Sequence, residues 1–306
     1  AGHGARVALV ESGALGGTCV NVGCIPKKLF VYASHVPEDI ADGAGYGWQI
    51  DRSGLRFDWA TLRDNKTREI QRLNGVYRQL LDKAGVEILS GRARLVDPHT
   101  VAVGERQVSA DRIVIATGST PVRPDVPGAE HLLISDDMFS LAQLPDTAVV
   151  IGGGYIAVEF AGILAGLGVQ TTLLYRGDLI LRGFDEDVRR FVQEDMQRRG
   201  IDVRTQTDVQ QVARHGDQRH LRLSDGSELT AGLVLAAIGR RPLVDGLGLE
   251  AIGVALGPGG RVRVDAHFRT QVPSIYALGD VIGTPQLTPV ALAQAMVLSR
   301  RLYGDG

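Results

Sequence analysis

A strand, a glycine turn, a helix and a second strand follow one another without interruption between residues 148 and 175, and no other feature of the 306-residue chain restricts its fold so strongly. Ala148-Val-Val-Ile151 is a short apolar run, Gly152-Gly-Gly-Tyr-Ile-Ala157 follows it, and the next run, Gln170-Thr-Thr-Leu-Leu-Tyr175, arrives one helix later. Gly152, Gly154 and Ala157 fit the spacing G-x-G-x-x-A. Glycine there lets backbone approach a pyrophosphate, while the helix N-terminus offers unpaired N–H groups and a positive dipole end. A glycine-rich packing turn would carry the same letters; the strand, helix and strand around it favour a dinucleotide cradle built from Gly152, Gly153, Gly154 and Ile156.

The residue that ends the second strand of such a unit selects the nucleotide. An acidic side chain there accepts from ribose hydroxyls, whereas here the strand runs into Arg176, with Arg182 six positions on. Two guanidinium groups suit a 2′-phosphate, so NADPH is expected over NADH. The alternative is a pair of ordinary surface arginines.

Other Val/Ile/Leu runs fall at 6–11, 113–116, 233–238 and 274–278, with long helical patterns at 56–84 and 185–199. Short buried strands alternating with helices imply an α/β fold with doubly wound parallel sheets. The helix at 185–199, acidic at its start and basic at its end, reads as a solvated surface helix. Breaks at Pro121-Val-Arg-Pro-Asp-Val-Pro127 and near Pro242 divide the chain into a first unit at 1–119, a second inserted in it at 120–242, and a returning segment at 243–306.

Composition narrows the function. With 33 basic against 35 acidic residues and a net charge of −2, the chain has no clustered positive surface for nucleic acid. Its most apolar stretch, 148–175, is interrupted by Glu159 and several glycines, so no membrane span is expected. No secretory leader opens the sequence, no metal-ligand cluster stands out, and two cysteines among 306 residues cannot form a disulfide scaffold. A cytoplasmic protein is the expectation.

Both cysteines lie in Gly16-Gly-Thr-Cys-Val-Asn-Val-Gly-Cys-Ile-Pro-Lys-Lys28, directly after a strand that ends in the acidic residue Glu11. In an ideal helix a pair five residues apart has Cα atoms about 8.6 Å apart, whereas a disulfide wants at most ~6.8 Å. A Cys19–Cys24 bridge therefore needs a distorted turn, which Gly23 permits, and a small strained ring reduces readily. Two unpaired buried thiols are the alternative. Pro26 suits the first turn of a following helix, which would set Cys24 at a positive helix end that stabilises a thiolate.

This segment resembles the redox-active disulfide motif of the FAD-dependent pyridine nucleotide-disulfide oxidoreductases, and Cys-Ile-Pro-Lys-Lys is similar to its glutathione reductase branch. The resemblance extends over essentially the whole chain: Ala116-Thr-Gly118 and Ala277-Leu-Gly-Asp280 match later flavin motifs, and Gly239-Arg240 matches the return from the NADPH domain. It implies two Rossmann-like domains, one for FAD and one for NADPH, and electron flow from NADPH through FAD and a Cys19–Cys24 disulfide to glutathione disulfide, in the service of thiol redox homeostasis. By the resemblance, Cys24 is the flavin-side thiol and Cys19 the interchange thiol. Lys27 pairs with Glu159 beside the flavin, and Tyr155 covers the flavin until nicotinamide displaces it. Glu11, Gly16, Gly17, Thr18, Thr117, Gly118, Asp280 and Thr288 contact FAD together with Lys27, while Glu159, Gly239 and Arg240 join the NADPH set. Tyr77 matches a glutathione-site tyrosine, though as a bare residue it reads equally as a core aromatic.

The family pattern is departed from at three places. The glycine loop expected before Glu11 is missing, Met296 stands where some relatives carry a carboxylate-binding arginine, and no histidine matches the family's His-Pro acid motif. The sequence is therefore expected to be incomplete at both ends, lacking the dimerisation domain through which full-length members form homodimers, and to retain FAD poorly and turn over little by itself. Alternatives are reduction of another disulfide, trypanothione-like or dihydrolipoamide, or a nucleotide-binding or redox-sensing fragment. The seven histidines, His3, His35, His99, His131, His215, His220 and His267, are read as surface or satisfied core.

Overall fold

The structure is a computed structural model and describes residues 1–304. The chain forms two compact units, one of residues 1–21, 71–120 and 240–306, the other of residues 22–70 and 121–239.

The second of these is built on a five-stranded, all-parallel sheet. Its spatial order is Asp202–Arg204, Gln170–Leu174, Thr147–Ile151, Leu233–Ala236 and Leu133–Ile134. Val149 lies between Thr172 on one neighbour and Val234 on the other. From the strand Thr147–Ile151 the chain winds outward through the helices Tyr155–Gly166 and Glu186–Arg198, then returns to the opposite side at Leu233–Ala236. This is the doubly wound arrangement expected from the alternating runs, and the reversal puts a crevice at the C-terminal ends of those two strands. The strands read as continuous apolar runs because both faces are covered, one by the helices and the other by Val209, Val212, Leu221 and Leu223 from an antiparallel meander: all four residues of Leu233–Ala236 are buried. The helix Glu186–Arg198 starts where Asp185 accepts from the backbone N–H of Asp187 and Val188. An antiparallel meander of Val209–His215, Gln218–Leu223 and Glu228–Ala231 completes this unit.

The helix Cys24–Gly43 packs in the same unit against Tyr155–Gly166. Gly166 allows the approach, since a Cβ there would sit 2.5 Å from the Ser34 carbonyl oxygen. Phe30 on the first helix meets the tilted Trp59 ring at 5.0 Å and stacks with Phe139 at 5.7 Å, and Phe139 meets Phe160 on the second helix at 5.7 Å. Truncating Phe30, which is fully buried, removes about 3–5 kcal/mol by the usual cost of emptying a core aromatic.

In the other unit, Ala8–Glu11 pairs in parallel with Glu87–Ser90, and Ile113–Ile115 pairs in parallel with Ile275–Ala277. A second antiparallel meander, Ala93–Asp97, Thr100–Val103 and Arg106–Ser109, follows. The core here gathers Ile113, Ile115, Ile275, Ala277 and Val281 around Leu247 and Val262.

Candidate active site

The glycine turn sits at the reversal of the five-stranded sheet. Gly152 has φ +135°, and a Cβ on it would lie 2.3 Å from the Ala237 carbonyl oxygen, so both backbone conformation and space require glycine. Gly153 is confined differently, with the Tyr175 ring 2.5 Å from the place of its missing Cβ. Leu181 N–H donates to the Gly153 carbonyl at 2.6 Å. At Gly154 a Cβ would meet nothing within 4 Å, and φ is an ordinary −84°. Protein packing therefore does not explain that glycine, whereas close approach of a phosphate to the backbone does. Gly154 is the N-cap of the helix Tyr155–Gly166 and supplies no side-chain cap. The first helical N–H groups, including that of Ile156, thus face the turn as anion donors. Arg176 and Arg182 are exposed, and neither guanidinium has an ion-pair or hydrogen-bond partner among the described residues. The turn and the two arginines fit a phosphorylated dinucleotide.

The two packed helices bring Cys24 to the glycine turn within this unit. Lys27 Nζ, one turn after Cys24, lies 2.5 Å from Glu159 Oε2, one turn after Tyr155. Tyr155 is 44% exposed, and Cys24 is exposed as the first residue of its helix, with Pro26 buried in the first turn. Cys19 lies on a separate short helix, Gly17–Asn21, and the chain breaks helical form at Val22 and Gly23, where the sequence required a distortion. Cys19 is half-buried there, whereas Cys24 is exposed. The two cysteines thus stand on separate helical segments.

Apart from Gly239, the remaining sequence candidates fall in the other unit. Glu11 ends its strand, and its Oε1 accepts from Gly13 N–H at 2.8 Å. Gly16 and Gly17 have φ +114° and +68°, and Thr18 is exposed beside them. Thr117 Oγ1 donates to the Leu243 carbonyl at 2.6 Å, Gly118 follows at φ +75°, and Ser119 Oγ donates to Asp280 Oδ2 at 2.6 Å. Arg240 closes this cluster by donating from Nε to Ser119 Oγ and from Nη2 to the Ser119 carbonyl, while Gly239 just before it has φ +138°. Thr288 opens the helix Thr288–Tyr303, on which Met296 is 55% exposed; Tyr77, 38% exposed, lies on Trp59–Lys83. Six of the histidines are exposed and His131 is half-buried.

Two asparagines escaped the sequence reading. Asn21 Nδ2 reaches the carbonyls of Ala14, Leu15 and Gly17, and Asn74 Nδ2 donates to the Leu15 carbonyl at 2.7 Å and to Asn21 Oδ1 at 2.8 Å. Together they fix the loop that leads into Cys19. An asparagine inside each of two helices, where propensity disfavours it, was the available signal.

A phosphate-binding turn at the sheet's switch point, with the helix that begins at Cys24 tied to it through Lys27 and Glu159, fits a dinucleotide-dependent thiol-disulfide oxidoreductase. The chain belongs to the pyridine nucleotide-disulphide oxidoreductase family, whose profile matches residues 1–295. FAD and NADPH are the cofactors of this family. A glutathione reductase from Nostoc sp. is 43% identical over 317 residues, covering 100% of this chain and 69% of the relative. One from Burkholderia cepacia is 44% identical over 304 residues, covering 99% and 67%. Among solved structures, a Cu(II) complex of the HOCl-induced flavoprotein disulfide reductase RclA from Escherichia coli superposes with a TM-score of 0.88 at 28% identity, covering 99% of this chain and 67% of that one. No helix among the described residues is long and apolar enough to cross a membrane.

Proposed function

We propose that this chain carries the nucleotide, flavin and dithiol machinery of a glutathione-disulfide reductase that uses NADPH. The observation that carries the reading is the Lys27–Glu159 pair, which ties the helix beginning at Cys24 to the helix rising from the glycine turn. The unit containing that turn is the NADPH-binding one, and the unit containing Glu11, Gly118 and Asp280 holds FAD. A cytoplasmic setting, and a homodimer for full-length relatives, belong to the same reading.

When bound, the two cofactors supply the reducing equivalents that regenerate the dithiol. Gly152, Gly153 and Gly154 admit the pyrophosphate, and Arg176 with Arg182 grip the 2′-phosphate. Lys27 places a positive charge one turn from Cys24, and Glu159 holds it there. The helix N-terminus at Cys24 favours the thiolate further. The Cys19 thiolate attacks one sulfur of glutathione disulfide, forming a mixed disulfide and expelling glutathione thiolate, which takes up a proton. Cys24 thiolate then attacks the Cys19 sulfur, closing the Cys19–Cys24 bond and releasing the second glutathione.

Two measurements on the chain test this. Mixing the dithiol protein with glutathione disulfide should leave a glutathione adduct trapped on Cys19 in Cys24→Ser, and none in Cys19→Ser; a trapped adduct at Cys24 alone reverses the roles. In equilibrium binding, the double variant Arg176→Gln/Arg182→Gln should lose about 100-fold in NADPH affinity, by the ~1.4 kcal/mol that each charge-assisted contact carries. NADH affinity should barely change. Equal losses for both nucleotides would remove the 2′-phosphate assignment.

A further inference from the structure

The unit that carries the glycine turn also holds an open, polar surface pocket of about 510 Å³ that none of the chemistry above uses. Arg123, Arg214 and Arg219 line it, with His131, Glu130 and Asp137 at its sides. It lies at the far edge of the sheet from the glycine turn. Its wall includes Leu133, which begins an edge strand, and Arg219 Nη1 donates to the carbonyl of Gly232, just before the strand Leu233–Ala236 begins. Gly152 follows the C-terminal end of the central strand Thr147–Ile151, whereas the Arg219 contact at Gly232 precedes the neighbouring strand Leu233–Ala236, and Leu133 lies on the edge strand beyond that.

Three separate features make this more than a polar dent. Arg214 and Arg219 are direct cross-strand partners in the antiparallel meander. Like charges directly opposite one another destabilise a sheet unless something lies between them. Arg219 Nε is buried and has no hydrogen-bond partner, a costly state for a charged donor. The protein also satisfies only part of the two forks. Arg214 uses Nε on the Gly216 carbonyl, and Arg219 uses Nη1 on the carbonyls of Asp217 and Gly232. The Nη groups of Arg214 and Nη2 of Arg219 have no protein partner among the described residues. Arg123 adds a third guanidinium from another segment, its Nε on the Leu132 carbonyl and its Nη2 4.0 Å from Asp137 Oδ2.

We propose that this cavity binds a small phosphate monoester, with the phosphate group lying between Arg214 and Arg219 and Arg123 closing on it. One guanidinium fork saturates a planar carboxylate. Three forks, two from neighbouring strands and one from another segment, match the several peripheral oxygens and double charge of a phosphate. The volume exceeds what inorganic phosphate needs and falls within the range of small-molecule sites, which leaves room for the esterified group.

The test uses the whole chain at low ionic strength, with inorganic phosphate as the probe and citrate as the carboxylate control. In the unsubstituted protein, titration followed at the arginine Nε–Hε resonances should shift Arg219 and Arg214 saturably with phosphate. Arg214→Gln, which spares the two carbonyls held by Arg219, should weaken phosphate binding at least tenfold. Because the repulsive pair is relieved, it should also raise the thermal midpoint measured without phosphate. A purely structural arginine would lower that midpoint. The double variant Arg176→Gln/Arg182→Gln separates this site from the nucleotide reading, since it should leave the Arg219 shift intact. The proposal is overturned if phosphate binds Arg214→Gln as tightly as the native chain, if the Arg219 shift vanishes only in the Arg176/Arg182 variant, or if citrate binds more tightly than phosphate. Should Arg214→Gln fail to fold, the native titration and its citrate control still decide.

Discussion

The strands Thr147–Ile151 and Ala8–Glu11 carry similar apolar letters and meet opposite fates. The first is buried from its second residue to its last, clamped between parallel neighbours on both sides. The second has no buried residue, and Glu87–Ser90 is its only strand partner among the described residues. An apolar run becomes a core strand through what lies beside it, and its letters alone do not decide. For the candidate site, the consequence is that the glycine turn rests on a closed set of contacts within its own unit. Glu11 is held by a single strand partner and one local bond from Gly13.

Glycine substitutions sharpen this comparison most. Gly152→Val combines a positive φ with a Cβ in collision with the Ala237 carbonyl, and should cost about 4 kcal/mol or prevent folding of its unit. Gly118→Ala, at φ +75° with nothing within 4 Å, pays for backbone strain alone, about 1 kcal/mol. Gly154→Ala meets neither obstacle and should leave stability within about 0.5 kcal/mol, while lowering NADPH affinity severalfold. Denaturant unfolding with nucleotide titration separates the three. If Gly154→Ala destabilises the apoprotein instead, that glycine serves the fold and not a phosphate.

Asn74 probes the less buttressed unit. Asn74→Ala removes the donor to the Leu15 carbonyl and strands Asn21 Oδ1, at a cost of about 1–2 kcal/mol. The loss should be local, so hydrogen exchange should accelerate in residues 14–21 with little change at Thr147–Ile151. Uniform acceleration through both units would show that the loop is not an independent element.

The parallel strands, the long helices and the cysteine segment were legible because each leaves a local mark: β-branched runs, helical periodicity, glycines at fixed offsets. The two antiparallel meanders were not. Val209–His215 buries only Val209 and Val212, three apart across a bulge, and Gln218–Leu223 buries only Leu221 and Leu223; arginine, histidine and glutamine fill most other positions, so the runs look like loops. Helix Cys24–Gly43 was readable at its start through Pro26 but continues through Pro37, which local rules would have used to end it. The Lys27–Glu159 pair was legible only through family resemblance, since 132 residues separate the partners. Asn74, 59 residues from the carbonyl it holds, and Lys66, 73 residues from its acceptor, left too little in the sequence to be found.

Lys66 offers the finest test of how closed the glycine-turn unit is. It is 6% exposed, donates to the Phe139 carbonyl at 2.7 Å and lies 5.9 Å from the Phe30 ring centroid. Its helix face also supplies Trp59 Nε1 to the Leu141 carbonyl and Arg63 Nη1 to the Ala142 carbonyl. Burial pushes the Lys66 ammonium below the usual lysine range, with the neighbouring Arg63 charge adding to the effect. The folded chain therefore releases this proton at lower pH than the unfolded chain. Below the folded value the penalty for burying the charge is fully present. As pH rises from there toward the ordinary lysine value, the unfolded state holds more protons and stability increases. Lys66→Gln keeps an N–H donor and removes the charge, so at pH 7 the two proteins should differ by less than about 1 kcal/mol. With increasing alkalinity the native chain should gain on the variant in urea unfolding, because only the native chain sheds a buried charge. A difference that stays flat across that range would mean water reaches Lys66 and the aromatic cluster around it is less closed than the geometry indicates.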